Sequence, residues 1–219
     1  MKTLIGRAGF EFLDEREHRL RSRWFHYSTL EVYARFFRSP DWRLWQQGRH
    51  EEAVQVMLAG TDAIARNRAR AEIWADAGIQ VTRAQVIDAT TAGQIDHPVN
   101  YLLTYLAATH PGEERLLVDS AKATAAGIDL PELDFLIHDD DLVMTKYEGA
   151  PTVPYRDLYL NTAPERGQED DRPFFTTCRA LADVLLERRA EIAWGAALPG
   201  LALLDDVRAG LVETAGGDR

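Results

Sequence analysis

The chain has 219 residues, 46% of them hydrophobic and 27% charged, with a formal net charge of −10. That is enough length for one large domain or two small ones, and enough apolar content to exclude a disordered chain. The acid is concentrated in residues 91–171, which hold 16 Asp and Glu against 5 Lys and Arg, a balance that disfavours phosphate backbones and so nucleic acid as a partner.

Glu11 to about Phe25 is rich in helix formers, and Arg16, Arg19, Arg21 and Arg23 alternate there with Glu15 and Glu17 at spacings that make solvated intrahelical ion pairs. Ser28-Thr29-Leu30-Glu31 fits a capping box, opening a helix whose Leu30, Tyr33, Phe36 and Phe37 form one apolar stripe until Ser39-Pro40-Asp41 stops it. Trp42 and Trp45 share a side of the next helical turn. Glu51 to Ala77 is a long helical stretch with a weak point at Gly60-Thr61-Asp62, closed by Gly78. Trp24, Trp42, Trp45 and Trp74 all fall in this third and read as helical core.

Ile79 to Asp88 reads as a strand, although Arg83 interrupts its apolar alternation. Pro98 suits the first turn of a helix carrying Val99, Leu102, Leu103 and Leu106, ended by His110-Pro111-Gly112. Arg115 to Asp119 makes a second strand. Phe135–Ile137 and Leu142–Met144 then flank the polar His138-Asp139-Asp140-Asp141, the pattern of a β-hairpin. Tyr155 to Asn161 reads as a short final strand or turn. Residues 162–172 are linker-like, a helix runs from Pro173 to about Ala197, and after Pro199-Gly200 a last helix spans Leu201 to Glu213.

A strand–helix–strand unit favours a parallel pair, and the hairpin extends it antiparallel. The expected fold is therefore α/β (α+β): a mixed sheet of about four to five strands with an N-terminal helical layer and C-terminal helices. Its expected divisions are a helical region over 1–77, a mixed α/β core over 78–161, the linker, and C-terminal helices over 173–219, packed as one compact unit.

Most strong catalytic motifs are absent. The sequence has no dinucleotide or Walker glycine loop, no Gly-x-Ser-x-Gly and no His-Glu-x-x-His, so no cofactor is expected. Cys178 is the sole cysteine, which excludes an intrachain disulfide or a cysteine-based zinc cluster and fits a small buried helical residue. No apolar run approaches the roughly 18 residues of a membrane span, and a cytoplasmic location is expected.

The hairpin carries the densest group of ionisable side chains. Asp134 and His138 are the candidate catalytic pair, a carboxylate and a potential base. Asp139 and Asp141 are the candidate ligands for a hard cation, although consecutive Asp residues also serve turns by bonding the backbone ahead of them. Tyr147, Tyr155 and Arg156 are the candidate binding groups for an anionic ligand.

Gly78 with Val81, Tyr101 with Gly112-Glu113, and Asp134-Phe135-Leu136-Ile137-His138-Asp139-Asp140 together resemble the motifs of an uncharacterised actinobacterial domain family, often encoded near helix-turn-helix regulators. The hairpin and strand order are also similar to half of a phospholipase-D-type domain. That class needs a His-x-Lys pair, which this sequence lacks, so the resemblance implies a non-catalytic relative. The expected function is binding or regulation through a small-molecule ligand or a protein partner; the alternative is a small enzyme acting on an anionic or polar metabolite.

Overall fold

The computed structural model describes residues 2–5, 7–29, 39–110, 112–132, 134–139, 141–147, 158–162 and 172–216. In chain order the elements are β1 (Lys2–Ile5), α1 (Arg7–Glu17), β2 (Arg23–Ser28), α2 (Pro40–Gln46), α3 (His50–Ala59), α4 (Thr61–Asp76), β3 (Gln80–Ile87), α5 (Ala89–Ala92), α6 (Pro98–Thr109), β4 (Glu114–Asp119), α7 (Ser120–Ala125), β5 (Asp134–His138), β6 (Asp141–Tyr147), β7 (Leu158–Thr162), α8 (Arg172–Glu187), α9 (Arg189–Ile192) and α10 (Pro199–Gly216). They divide into two units interleaved along the chain: Met1–Leu30, Ile73–Ile87 and Glu113–Trp194 in one, and Glu31–Glu72, Asp88–Gly112 and Gly195–Arg219 in the other.

The first unit is the mixed α/β body that the strand and helix pattern predicts, and its sheet is wider than expected. Seven strands lie in the order β1-β7-β6-β5-β2-β3-β4. β2, β3 and β4 run parallel, and β5 closes on the other side of β2 antiparallel. β6, β7 and β1 continue the sheet antiparallel.

The central position of β2 corrects the helical reading of the first third. The helix expected to reach Phe25 ends at Glu17, and Arg-Trp-Phe-His-Tyr-Ser pairs on both edges instead. Aromatic residues favour a pleated surface, and the apolar–polar alternation of Phe25-His26-Tyr27-Ser28 spans only four residues after a run of helix formers. Ser28 is accordingly the last residue of β2. The helix it was expected to open falls outside the described residues.

Each face of this sheet has its own cover. Phe25 and Tyr27 of β2, Ala84 of β3, Leu116 and Val118 of β4, and Phe135 and Ile137 of β5 pack with Cys178, Leu181, Ala182 and Leu185 of α8. The opposite face sets Trp24 and Leu136 against Phe12 and Leu13 of α1 and Trp74 near the end of α4. Burying each large side chain contributes on the order of 1.5–3 kcal/mol. Beyond α8, the predicted helix to Ala197 gives way at α9. Ala193 bridges Val118 antiparallel, and Trp194 N donates to Leu117 O at 2.8 Å, so the chain lies along the outer edge of β4. Covering an edge strand in this way removes a template for unwanted pairing.

The second unit is helical. Ser39 caps α2: its Oγ accepts from Trp42 N at 3.3 Å, with Pro40 in the first turn. Gly60 separates α3 from α4, at the weak point the sequence shows. Helix α6 starts at Pro98 as expected and buries Val99, Leu102, Leu103 and Leu106. Asn100 Nδ2 donates to Gln94 O at 2.7 Å, and Gly200 N of α10 donates to Asn100 Oδ1 at 3.3 Å. The close approach of α10 to α6 depends on Gly200, where a Cβ would meet Thr104 Oγ1, lie 2.9 Å from Asn100 O and 3.2 Å from the Trp45 ring. Gly200→Ala is therefore expected to destabilise the protein by about 1–3 kcal/mol through overpacking, measured as a lower urea midpoint at unchanged slope.

Candidate functional site

Alternation along the strands sends one set of residues to the α1-facing side of the sheet: Trp24, His26 and Ser28 from β2, Arg83 and Gln85 from β3, and Asp134, Leu136 and His138 from β5. Most are polar, yet His26 is 7% exposed, Arg83 6%, Asp134 5% and His138 1%. Such groups lose their hydration on folding, so they must be matched within the protein.

The matching is a chain of four side chains across three strands. His26 Nε2 donates to Asp134 Oδ1 at 2.6 Å. Arg83 Nη1 donates to His26 Nδ1. Arg83 then holds Glu113, just before β4, through two bonds: Nε to Oε2 at 2.8 Å and Nη2 to Oε1 at 3.1 Å. The Ser28 hydroxyl donates to the other Asp134 oxygen at 3.4 Å. The guanidinium lies 5.1 Å from the Trp24 ring centroid, and Trp24 meets His26 edge-on at 5.7 Å. A fork-to-fork Arg–carboxylate pair with side chains 7% and 6% exposed is the geometry in which burial of charge is best compensated.

Chemistry fixes the proton on His26. A guanidinium has only donors, so Nδ1 must accept and the ring proton sits on Nε2 toward Asp134. The result is a carboxylate-oriented imidazole, as in many acid–base sites, but with its second nitrogen occupied by Arg83. Here the imidazole has no lone pair to offer a substrate unless Arg83 moves.

The sequence-predicted residues are distributed differently from the expected cluster. Asp134 and His138 share a face of β5 but stand four residues apart, roughly 13 Å along the strand, and do not form a pair. Asp134 instead meets His26, and His138 lies opposite Trp24 in the register. Asp141 opens β6 and Tyr147 closes it, which puts Tyr147 at the sheet edge where β5 begins. Tyr155 and Arg156 lie outside the described residues. Among the described residues, no group of three or more His, Cys, Asp or Glu is placed to hold a metal ion. Cys178 is buried on α8, and burial pushes its thiol up to about 11, away from nucleophilic use. His26, Arg83 and Glu113 are the members that motif reading overlooks. Arg83 had a signal, the break in an apolar strand; His26 had none, because its strand reads as the end of a helix.

Asp139 turns out to be a structural anion. It adopts a left-handed φ of 54°, which Asp tolerates better than most residues, at the turn of the β5–β6 hairpin. One carboxylate oxygen accepts from Ser22 N at 2.7 Å, Ser22 Oγ at 2.9 Å, Arg21 N at 3.1 Å and Arg23 N at 3.2 Å. Asp139 N donates to Arg23 O at 2.9 Å, so the turn is tied to the start of β2. Partial burial is the largest single influence on its carboxyl and pushes the pKa up, but the hydrogen bonds from Ser22, Arg21 and Arg23 together outweigh it and hold the group below the usual range. This is turn chemistry with a long-range partner, centred on one of the two carboxylate oxygens.

Two outcomes are expected. Asp139→Asn loses about 1–2 kcal/mol at neutral pH, the difference between charged and neutral acceptors. Because the folded pKa is depressed, that deficit is present above the unfolded carboxyl value of about 4 and closes as pH falls through the folded value, which urea titrations at several pH values would show. Arg83→Met leaves the Glu113 carboxylate buried and unmatched and costs about 3–5 kcal/mol; adding Glu113→Met restores part of it in a double-mutant cycle.

No curated protein and no solved structure matches this chain. A family model does match, over residues 11–163, a span that takes in β2 to β7 and all four members of the buried chain. The protein thus belongs to the family described as a domain of unknown function, DUF6879.

Proposed function

We propose that the protein is a binding or regulatory module that acts through a small-molecule ligand or a protein partner. One observation carries this reading: both ring nitrogens of His26 are already engaged, by Asp134 and Arg83, and Arg83 is in turn committed to Glu113. A cluster wired internally in this way serves as a rigid support that fixes the register of β2, β3 and β5, not as a poised acid–base pair. The actinobacterial family that the sequence resembles, often encoded beside helix-turn-helix regulators, supports a regulatory role.

The 2.6 Å contact between Asp134 and His26 favours a second reading, an enzyme for an anionic or polar metabolite. It requires the bound anion to draw Arg83 away from Nδ1, freeing that nitrogen as a base. The two readings separate in one experiment. The full chain is screened against a panel of polar and anionic metabolites by thermal denaturation, and each mixture is then followed by proton NMR. A binding module raises Tm by about 5–10 °C at roughly a hundredfold excess over Kd, with the metabolite recovered unchanged. Turnover of a metabolite that disappears in His26→Gln replaces the binding reading with the enzymatic one.

A further inference from the structure

The geometry points to His26 as a proton-operated latch between β2 and β3, in which the Arg83 hydrogen bond and a second ring proton exclude each other. Nδ1 has a single lone pair, and Arg83 Nη1 donates into it. A proton placed there would remove the acceptor and set an imidazolium against a guanidinium. Arg83 has somewhere to remain: its Nε and Nη2 are held by the two oxygens of Glu113 at 2.8 and 3.1 Å. Asp134, at 2.6 Å on the other side of the ring, would balance the new charge, with the Ser28 hydroxyl on its second oxygen. Every member needed for the protonated arrangement is therefore in place without a solvent-exposed group taking part.

The charged and titratable groups facing His26 come from two strands and a strand entry. Asp134 from β5 favours the imidazolium, Arg83 from β3 opposes it, and Glu113 before β4 offsets Arg83; His138 lies further along β5 opposite Trp24. From α1 and α4, the apolar Phe12, Leu13 and Trp74 pack on this face. A second proton on the ring swaps one contact for another. The hydrogen bond between His26 of β2 and Arg83 of β3 is then lost, while Arg83 stays on Glu113. This device concerns the acid response of the sheet and stands or falls separately from the ligand-binding reading.

Ring and guanidinium nitrogen resonances of the full, 15N-labelled chain, followed from about pH 8 to about pH 5, test it. The expected result is an Nε2–H ring at the upper pH, and Arg83 side-chain signals that shift at the same midpoint as His26 takes its second proton. His26→Gln keeps an acceptor for Arg83 and a donor for Asp134, and in that variant the Arg83 signals stay put over the same range. A ring proton on Nδ1 at the upper pH overturns the proposal, as do Arg83 signals unmoved while His26 protonates.

Discussion

Burying a guanidinium is the constraint on which the central sheet depends. Arg83 sits in the middle of β3 with strands on both sides, where an unmatched charge would cost several kcal/mol. Two hydrogen bonds to Glu113 and one to His26 tie it to the start of β4 and to β2. His26 passes the same demand to Asp134 on β5. A slip of one residue in any of these pairings would turn a member of the chain to the α8 side, into the apolar cluster around Phe25, Tyr27 and Phe135. The polar face therefore specifies register, while the apolar face supplies most of the burial energy.

A second anchor works at the other end of β5. Asp139 holds the backbone N–H groups of Arg21, Ser22 and Arg23, which lead into β2. Asp134 and Asp139 thus fasten β5 to β2 at its two ends, one through a side-chain pair with His26 and one through a ring of backbone donors. Acidic residues that look interchangeable in a row of ionisable groups have distinct physical roles, set by what faces them. The same holds for the tryptophans. Trp24 and Trp74 approach each other at 6.3 Å in the sheet unit, whereas Trp42 and Trp45 surround Tyr101 in the helical unit.

The hairpin was legible because two apolar runs flank a polar turn, and β5 and β6 lie where those runs are. The parallel pair β3–β4, the Pro98 helix start and the Gly60 break were legible for similarly local reasons: side-chain period, a fixed φ and a missing Cβ. β2 was hidden because its alternation spans only Phe25 to Ser28, and because the charged run before it continues a helical composition past the true helix end. That single misreading removed His26 from view and left Asp134 without its partner, so His138, a neighbour in sequence, was the nearest available base. Arg83 was visible as an irregularity whose cause lay in residues 30 and 57 positions away.

The sequence by itself determined the element types where the signals are local: which stretches can bury an apolar stripe, where chain direction must reverse, and which catalytic motifs are missing. It also marked Arg83 as a break in the apolar alternation of β3. Only the tertiary structure decided which residues meet that charge. Hydrogen bonds between strands join residues such as His26 and Asp134, 108 positions apart, and no local preference encodes such a pairing. The pairing follows from strand order, and strand order is set by the competition among all the faces and edges of the sheet to be covered.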